Sequence, residues 1–272
     1  MNPVIETVFN HRSIRKYKSQ PVEEEKIKCI IKAAQAAPTW CNGQQVSIIA
    51  IRDQARKALF ESFCWGDKFK IIQTCPIFLI FCADFYRTSL AFEKCGKSKE
   101  CFEQYITQLD PLIVGAHDVG ISIQNAVVVA ESLGLGTVDI GGIRNNSLKV
   151  AKELDLPKYV IPLIGLCIGY PDDDPEIKPR LPMSAVFFED KYDKEKAKAG
   201  IDEYDEIFKK YLSERKSNPR DSNWTQSITN IYSQSLGLAN DDYPLVQQQG
   251  FIPIENKSNV SNKNINEVFA GL

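Results

Sequence analysis

The chain has 272 residues, 43% hydrophobic and 25% charged, a length sufficient for a sizeable core and a composition typical of a soluble globular protein. Its 33 basic and 35 acidic residues leave a net charge of -2, so no global field draws nucleic acid or an anionic membrane, and any anion site has to be local. The eight cysteines form no CxxC pair, several sit in apolar runs, and no secretory signal precedes them, so free thiols in a reducing cytoplasm are expected.

Asn2 followed by Pro3 reads as a cap and a first-turn proline, which starts a helix running to about Asn10. The next helix is expected over residues 23–37, with three glutamates at its positive end and Ile27, Ile30, Ile31 and Ala34 at helical spacing until Pro38 stops it. Residues 46–52 are β-branched and read as a strand, after which Asp53 caps a helix whose Ala55, Leu59 and Phe63 form a core stripe. Residues 77–83 are apolar on both faces, as in a central strand. The weakly patterned stretch 86–102 reads as a loop or short helical excursion. Residues 119–133 form a buried helix ended by Gly134, 137–140 a strand, 146–154 a helix, and 160–170 a strand with Pro162 near its start. Helices over 201–213 and 224–235 complete one α+β unit spanning residues 1–252, followed by a polar tail over 253–272, disordered or lying as an arm on something else. The runs 76–83 and 159–170, the best membrane candidates, are short of the ~20 apolar residues a spanning helix needs, so no membrane association is expected.

Two basic sites stand out. In His11-Arg12-Ser13-Ile14-Arg15-Lys16-Tyr17 an extended backbone would alternate faces, placing His11, Ser13 and Arg15 together and Arg12, Ile14 and Lys16 opposite. Lys178-Pro179-Arg180 lies far along the chain in a segment stiffened by Pro175, Pro179 and Pro182. Guanidinium, imidazole and hydroxyl together suit a phosphate, although charge alone leaves open a solvated turn and an ordinary loop. GLGTVDIGG is not a dinucleotide fingerprint, because Gly134 follows a helix and not a strand. Gly141-Gly142, at a strand end, would let the backbone approach a flat ligand. Two histidines and no zinc-like cysteine spacing speak against a metal site, no spacing selects a Cys-His hydrolase, and His117-Asp118 reads as a surface or capping pair at a helix start.

HRSIRKY, AAPTWCNGQ, ESLGLGTVDIGGIRNN and IGLCIGYPDDDPEIKPRLP together resemble the nitroreductase superfamily, in its order and near its spacing over residues 1–250, and most of all its NADPH-dependent branch of oxygen-insensitive nitroreductases and FMN reductases. The resemblance implies an intertwined homodimer with a mixed, mainly antiparallel sheet flanked by helices and two FMN sites at the interface. It implies ping-pong chemistry in which NAD(P)H delivers hydride to flavin N5 and a flat acceptor, nitroaromatic, quinone or free flavin, is then reduced, with no side chain acting as general acid. Arg15, Lys178 and Arg180 would hold the FMN phosphate, with His11, Arg12 and Ser13 around phosphate and ribityl chain. Ile140, Gly141 and Gly142 would lie against the ring, and the loop from Thr39 to Gln44 would reach the partner's flavin. Trp40 and Cys41 replace a serine-rich run there, and Asp67 stands where many relatives have a glutamine, so it could accept from the ring N3–H but donate nothing. Arg215 and Arg220, in a stretch with five basic residues and one acid, would receive the 2′-phosphate of NADPH. The rival readings are a superfamily member with another reaction, such as flavin destruction or dehalogenation, and an FMN-binding sensor.

Overall fold

Eight consecutive residues of Ile77–Asp84 are buried, alternating side chains serving two apolar layers, and this strand organises the chain. The structure, a computed structural model, describes residues 2–66, 69–234 and 241–252. The strands β1 (Val46–Ile51), β2 (Ile77–Asp84), β3 (Gly136–Ile140) and β4 (Val160–Gly169) lie in the order β1-β2-β4-β3, every ladder antiparallel. Phe78 faces Cys167 and Gly136 faces Gly169, and the register shifts between Phe81 and Cys82, opposite Pro162, which has no N–H to give the ladder. The parallel component of the expected mixed sheet is a single bridge, Ser13 to Thr137, where the Ile14 N–H donates to the Thr137 carbonyl at 2.8 Å. The HRSIRKY segment thus runs along the free edge of β3.

One face of the sheet is covered by α2 (Glu24–Gln35) and α7 (Leu109–Ser132), which bring Ile27, Ile30, Val119, Ile123 and Ala126 onto Leu79, Phe81 and Ile168. The other carries α3 (Gln54–Trp65), α4 (Ile71–Thr74) and α8 (Ser147–Glu153), with Phe60, Ile72 and Val150 packed on Phe78, Ile80 and Cys167. Gly165 is required here, since a Cβ would come within 2.4 Å of the Phe78 ring. The first helix, α1 (Pro3–Phe9), is capped by Asn2, whose side chain accepts from the Ile5 N–H as expected. Gly134 closes α7 with φ +78, its N–H donating to Glu131 and that of Leu135 to Ala130, the paired bonds of a glycine-terminated helix.

Several expectations need correction. In α3 the capping Asp53 is in place, but Ala55 and Leu59 are exposed and Phe63 is half-buried, whereas Lys57, Phe60, Glu61 and Cys64 face the core. The charges are accommodated because the Lys57 ammonium donates to the Cys75 carbonyl at 2.7 Å, and Glu61 accepts from the Trp65 indole at 2.6 Å and from the Gln73 N–H at 2.9 Å. The stretch 86–102 holds α5 (Tyr86–Lys94) and α6 (Lys99–Ile106), whose Phe92 and Phe102 pack edge to face at 5.4 Å. The buried helix begins ten residues earlier than expected, and by length and composition its 24 residues are long and apolar enough to cross a membrane, a feature that apolar runs alone did not reveal. Its buried stripe is part of the core just described. His117 and Asp118 therefore lie inside α7, not at its start, and Asp118 is fully buried. Further along stand α9 (Lys194–Glu214), seven residues longer at its start than expected, α10 (Trp224–Gln234) and α11 (Asp242–Gln248).

Glu61→Ala removes both acceptors and strands a buried amide and an indole N–H, so it should lower unfolding stability by about 2–4 kcal/mol in urea denaturation, against almost no change if these bonds were incidental.

Candidate functional site

The two basic segments are brought together by backbone hydrogen bonds. The Lys18 N–H donates to Tyr170 at 2.9 Å and the Asp172 N–H to Lys16 at 3.0 Å, so the chain leaving HRSIRKY zips onto the chain leaving β4. Ile14 and Tyr17 fasten the segment from below: both are buried, and the Tyr17 hydroxyl donates to the Ile14 carbonyl at 2.7 Å. Burial raises the Tyr17 hydroxyl far above its ordinary value, so it stays a neutral donor. The Lys178-Pro179-Arg180 segment is fixed from the other side, where the Tyr204 hydroxyl of α9 donates to the Pro179 carbonyl at 2.7 Å. Tyr204 itself rests in a small cluster with Phe208, Leu212 and Trp224.

The result is a local field of one sign. Burial first, and then the charges of Arg15, Arg180, Arg215 and Arg220, push the Lys178 ammonium below its ordinary value. Four guanidinium groups from three stretches thus bear on one ammonium, an arrangement that an anion relieves. Ser13 adjoins them on the β3 edge, its carbonyl accepting from Arg15 at 3.3 Å. His11 is linked to the same group, since the Arg180 charge opposes its protonation, while Glu131 at 2.8 Å from Nδ1 more than compensates and raises its value. Arg12 is turned away, as strand alternation requires, and its guanidinium meets Asp174 at 2.6 Å. It borders a cleft of about 960 Å³ with Ile14, Lys18 and the carboxylates of Glu6, Glu131 and Asp172, a lining of the wrong sign for a phosphate. Arg215 donates from Nε to the Asn218 carbonyl at 2.8 Å, and Glu176 accepts from the Lys216 N–H at 2.8 Å, which pins this loop to the segment that carries Lys178.

Ile140 ends β3 buried, and residues 141–146 make a tight turn. A Cβ on Gly142 would lie 2.6 Å from the Trp65 ring and 3.0 Å from Cys64, so this glycine serves helix packing. Gly141 has only the Arg144 guanidinium near, at 3.3 Å. The expectation that both glycines open toward a flat ligand is thus met by a competing cause at Gly142. Asn146 clamps the turn to the Phe63 carbonyl at 2.7 Å. Asp67 lies outside the described residues.

The loop from Thr39 to Gln44 is built on three non-glycine residues in left-handed conformation, Cys41 at φ 48, Asn42 at φ 54 and Gln44 at φ 51. Thr39 accepts from the Gln44 N–H at 3.0 Å, and Asp118 accepts from the Trp40 N–H at 3.1 Å. Arg87 completes the frame by donating to the Gln44 and Val46 carbonyls at 2.7 and 2.9 Å while pairing with Asp84 at 2.7 Å. Trp40 remains 44% exposed. The loop enters β1, one edge of the sheet, whereas HRSIRKY borders β3, the other edge, about 14 Å across at the usual strand spacing. One chain therefore does not bring Thr39, Trp40 and Cys41 to the cation cluster. Glu131, Asp118, Arg87 and Glu176 were missed by sequence reasoning; the available signals were an acid in the last turn of a helix and a charge within an apolar one.

Residues 8–170 match the model of the nitroreductase family, and residues 178–253 match the nitroreductase family, C-terminal domain. The chain belongs to the nitroreductase family. An FMN reductase [NAD(P)H] of Bacillus subtilis is 40% identical over 257 residues, covering 92% of this chain and 98% of that one. An oxygen-insensitive NADPH nitroreductase of Salmonella typhimurium is 38% identical, covering 84% and 90%. Among solved structures, NfrA2 of B. megaterium superposes with a TM-score of 0.86 at 40% identity over 93% of this chain and 99% of that one. The NADPH:FMN oxidoreductase of Vibrio harveyi complexed with NAD+ gives 0.77 at 30% identity over 92% and 98%. The family fold, an antiparallel sheet flanked by helices, is the one described above.

If the cation cluster of this nitroreductase-family chain is an anion site, inorganic phosphate should raise the melting temperature of the flavin-free protein. At a hundredfold excess over its dissociation constant the gain is about 2.7 kcal/mol, roughly 5–10 °C, and Lys178→Ala with Arg180→Ala should abolish it in a differential scanning measurement.

Proposed function

We propose that this chain is an FMN-dependent NAD(P)H oxidoreductase acting on flat acceptors such as nitroaromatics, quinones or free flavins, as a homodimer. The observation that carries the reading is the meeting of Arg15, Lys178 and Arg180 with Arg215 and Arg220 in one field, which suits two phosphorylated partners. The residues fit FMN: the first three would hold its phosphate, with His11 and Ser13 beside it, and Ile140 and Gly141 would offer backbone to the ring. FMN supplies, when bound, the hydride transfer that no side chain of the chain provides. Arg12, already paired with Asp174, would shape the segment and leave the phosphate to Arg15.

Arg215 and Arg220 would receive the adenosine 2′-phosphate of NADPH, a group NADH lacks. Because Nε and Nη2 of Arg215 are turned to the Asn218 carbonyl, its guanidinium is oriented before any nucleotide arrives. The homodimer reading rests on the separation of the two sheet edges and on apolar side chains left exposed, among them Val4, Val8 and Phe9 of α1 and Leu109 and Ile113 of α7. In an obligate dimer the loop from Thr39 to Gln44, with Trp40 and Cys41, would complete the partner's site. Eight free thiols accord with a cytoplasmic setting.

Purified protein should be yellow and should bleach when NADPH is added without oxygen; yellow protein that no nicotinamide bleaches would identify a flavin-holding sensor. Arg215→Ala should cut kcat/KM for NADPH by about tenfold to a hundredfold, mainly through KM, while NADH turnover and flavin content stay as they were. Light scattering at micromolar concentration should show a dimer, and a stable FMN-loaded monomer would refute the shared site.

A further inference from the structure

Glu131 sits where a carboxylate is least favoured. It lies in the last turn of α7, at the negative end of the helix, and that turn holds no basic residue. The helix does not need its side chain to terminate, because the N–H groups of Gly134 and Leu135 close the last carbonyls. Yet the side chain is only 13% exposed, and one oxygen is doubly used, accepting from the Thr137 hydroxyl at 2.7 Å and from His11 Nδ1 at 2.8 Å. Thr137 is also the residue whose backbone receives the HRSIRKY segment, so Glu131 addresses both the strand edge and the ring that stands on it.

A carboxylate on Nδ1 fixes the ring rotamer and leaves Nε2 as the outward nitrogen, for which no partner is present among the described residues. We propose that Glu131 is a positioning residue for the phosphate of the flavin: through Nδ1 it holds His11 so that Nε2–H is offered, as a cationic donor, to the anion gathered by Arg15, Lys178 and Arg180. This rests on the reading of that cluster as the flavin phosphate site. Five influences meet on the ring. The hydrogen bond to Glu131 of α7 is the largest and raises its value; burial opposes it; the Glu131 charge adds to the rise; Arg180 opposes and Asp139 of β3 adds a smaller rise. The net direction is upward, so the imidazolium survives to a higher pH than in a free ring and its charge is lost as pH climbs through the raised value. Glu131→Gln keeps the shape and an acceptor oxygen but removes the charge, which weakens the rise while burial and Arg180 still oppose it. In that variant the ring should lose its proton at a lower pH than in the wild type.

The chain has two histidines, His11 and His117, so ring C–H resonances can be followed against pH by NMR, with His11→Asn assigning them. Wild-type His11 should titrate above an ordinary histidine, and Glu131→Gln should lower its midpoint. In parallel, the FMN dissociation constant, read from quenching of flavin fluorescence, should rise about tenfold in Glu131→Gln at a pH between the two His11 midpoints found by NMR, and approach the wild-type value at a pH below both, where both rings are charged. A merely structural role would weaken binding equally at every pH, and that outcome overturns the proposal. So does a His11 titration that Glu131→Gln leaves in place, which places the failure at Glu131 itself. A titration that moves as expected beside an FMN affinity indifferent to it, and to His11→Asn, overturns it instead through the flavin reading.

Discussion

Two separate parts of the candidate site are referred to one helix. α7 accepts the Trp40 N–H at Asp118 and holds His11 at Glu131, and these two carboxylates stand thirteen positions apart, about 20 Å along the axis at the usual rise. A packed helix does not shorten, so the loop from Thr39 to Gln44 and the cation cluster are kept apart by a fixed length. The sheet repeats the constraint at right angles to it, since the loop opens β1 and the cluster borders β3. In the proposed homodimer the loop of one chain would complete the cluster of the other, so association would serve the proposed activity as well as cover apolar surface.

Charge follows the same economy of placement. A chain with a net charge of -2 concentrates Arg15, Lys178, Arg180, Arg215 and Arg220 in one region while the neighbouring cleft gathers Glu6, Glu131 and Asp172. The two fields are divided by a single extended segment, whose alternation sends Arg12 to Asp174 on one side and Arg15 toward Lys178 on the other. Long-range steering of an anion is thus weak and local capture strong. Backbone ladders help hold the opposing signs in place: residues 16–18 against 170–172, and Ile14 against Thr137.

Much of this was legible in the residues because the deciding causes were local. The doubly apolar run of β2, the Asn2-Pro3 start and the glycine closure of α7 each follow from a few neighbours, and the basic residues of the cluster stood out because cations grouped in rigid or extended backbone have few other uses. What escaped notice depended on distant partners. Lys57 and Glu61 face the core of α3 because the Cys75 carbonyl and the Gln73 N–H await them, and periodicity cannot see those groups. Asp118 looked like a surface acid until the Trp40 amide was found beside it. Gly142 was credited to a flat ligand, whereas the ring nearest to it is Trp65 of the chain itself. The two helices in 86–106 owe their form to aromatic contacts such as that of Phe102 with Tyr159, 57 positions away.

The bond from Glu176 to the Lys216 amide has a consequence of its own. It joins the loop that carries Arg215 to the segment that carries Lys178 and Arg180, so the two groups of cations share counter-charge and are not separate receptors. An anion seated at one lowers the potential felt at the other, and by linkage the reverse holds to the same degree. Two phosphorylated molecules meeting here are antagonists in electrostatics even where their rings would stack without conflict. In the proposed reaction, departure of the nicotinamide would be assisted by the charge of the flavin phosphate.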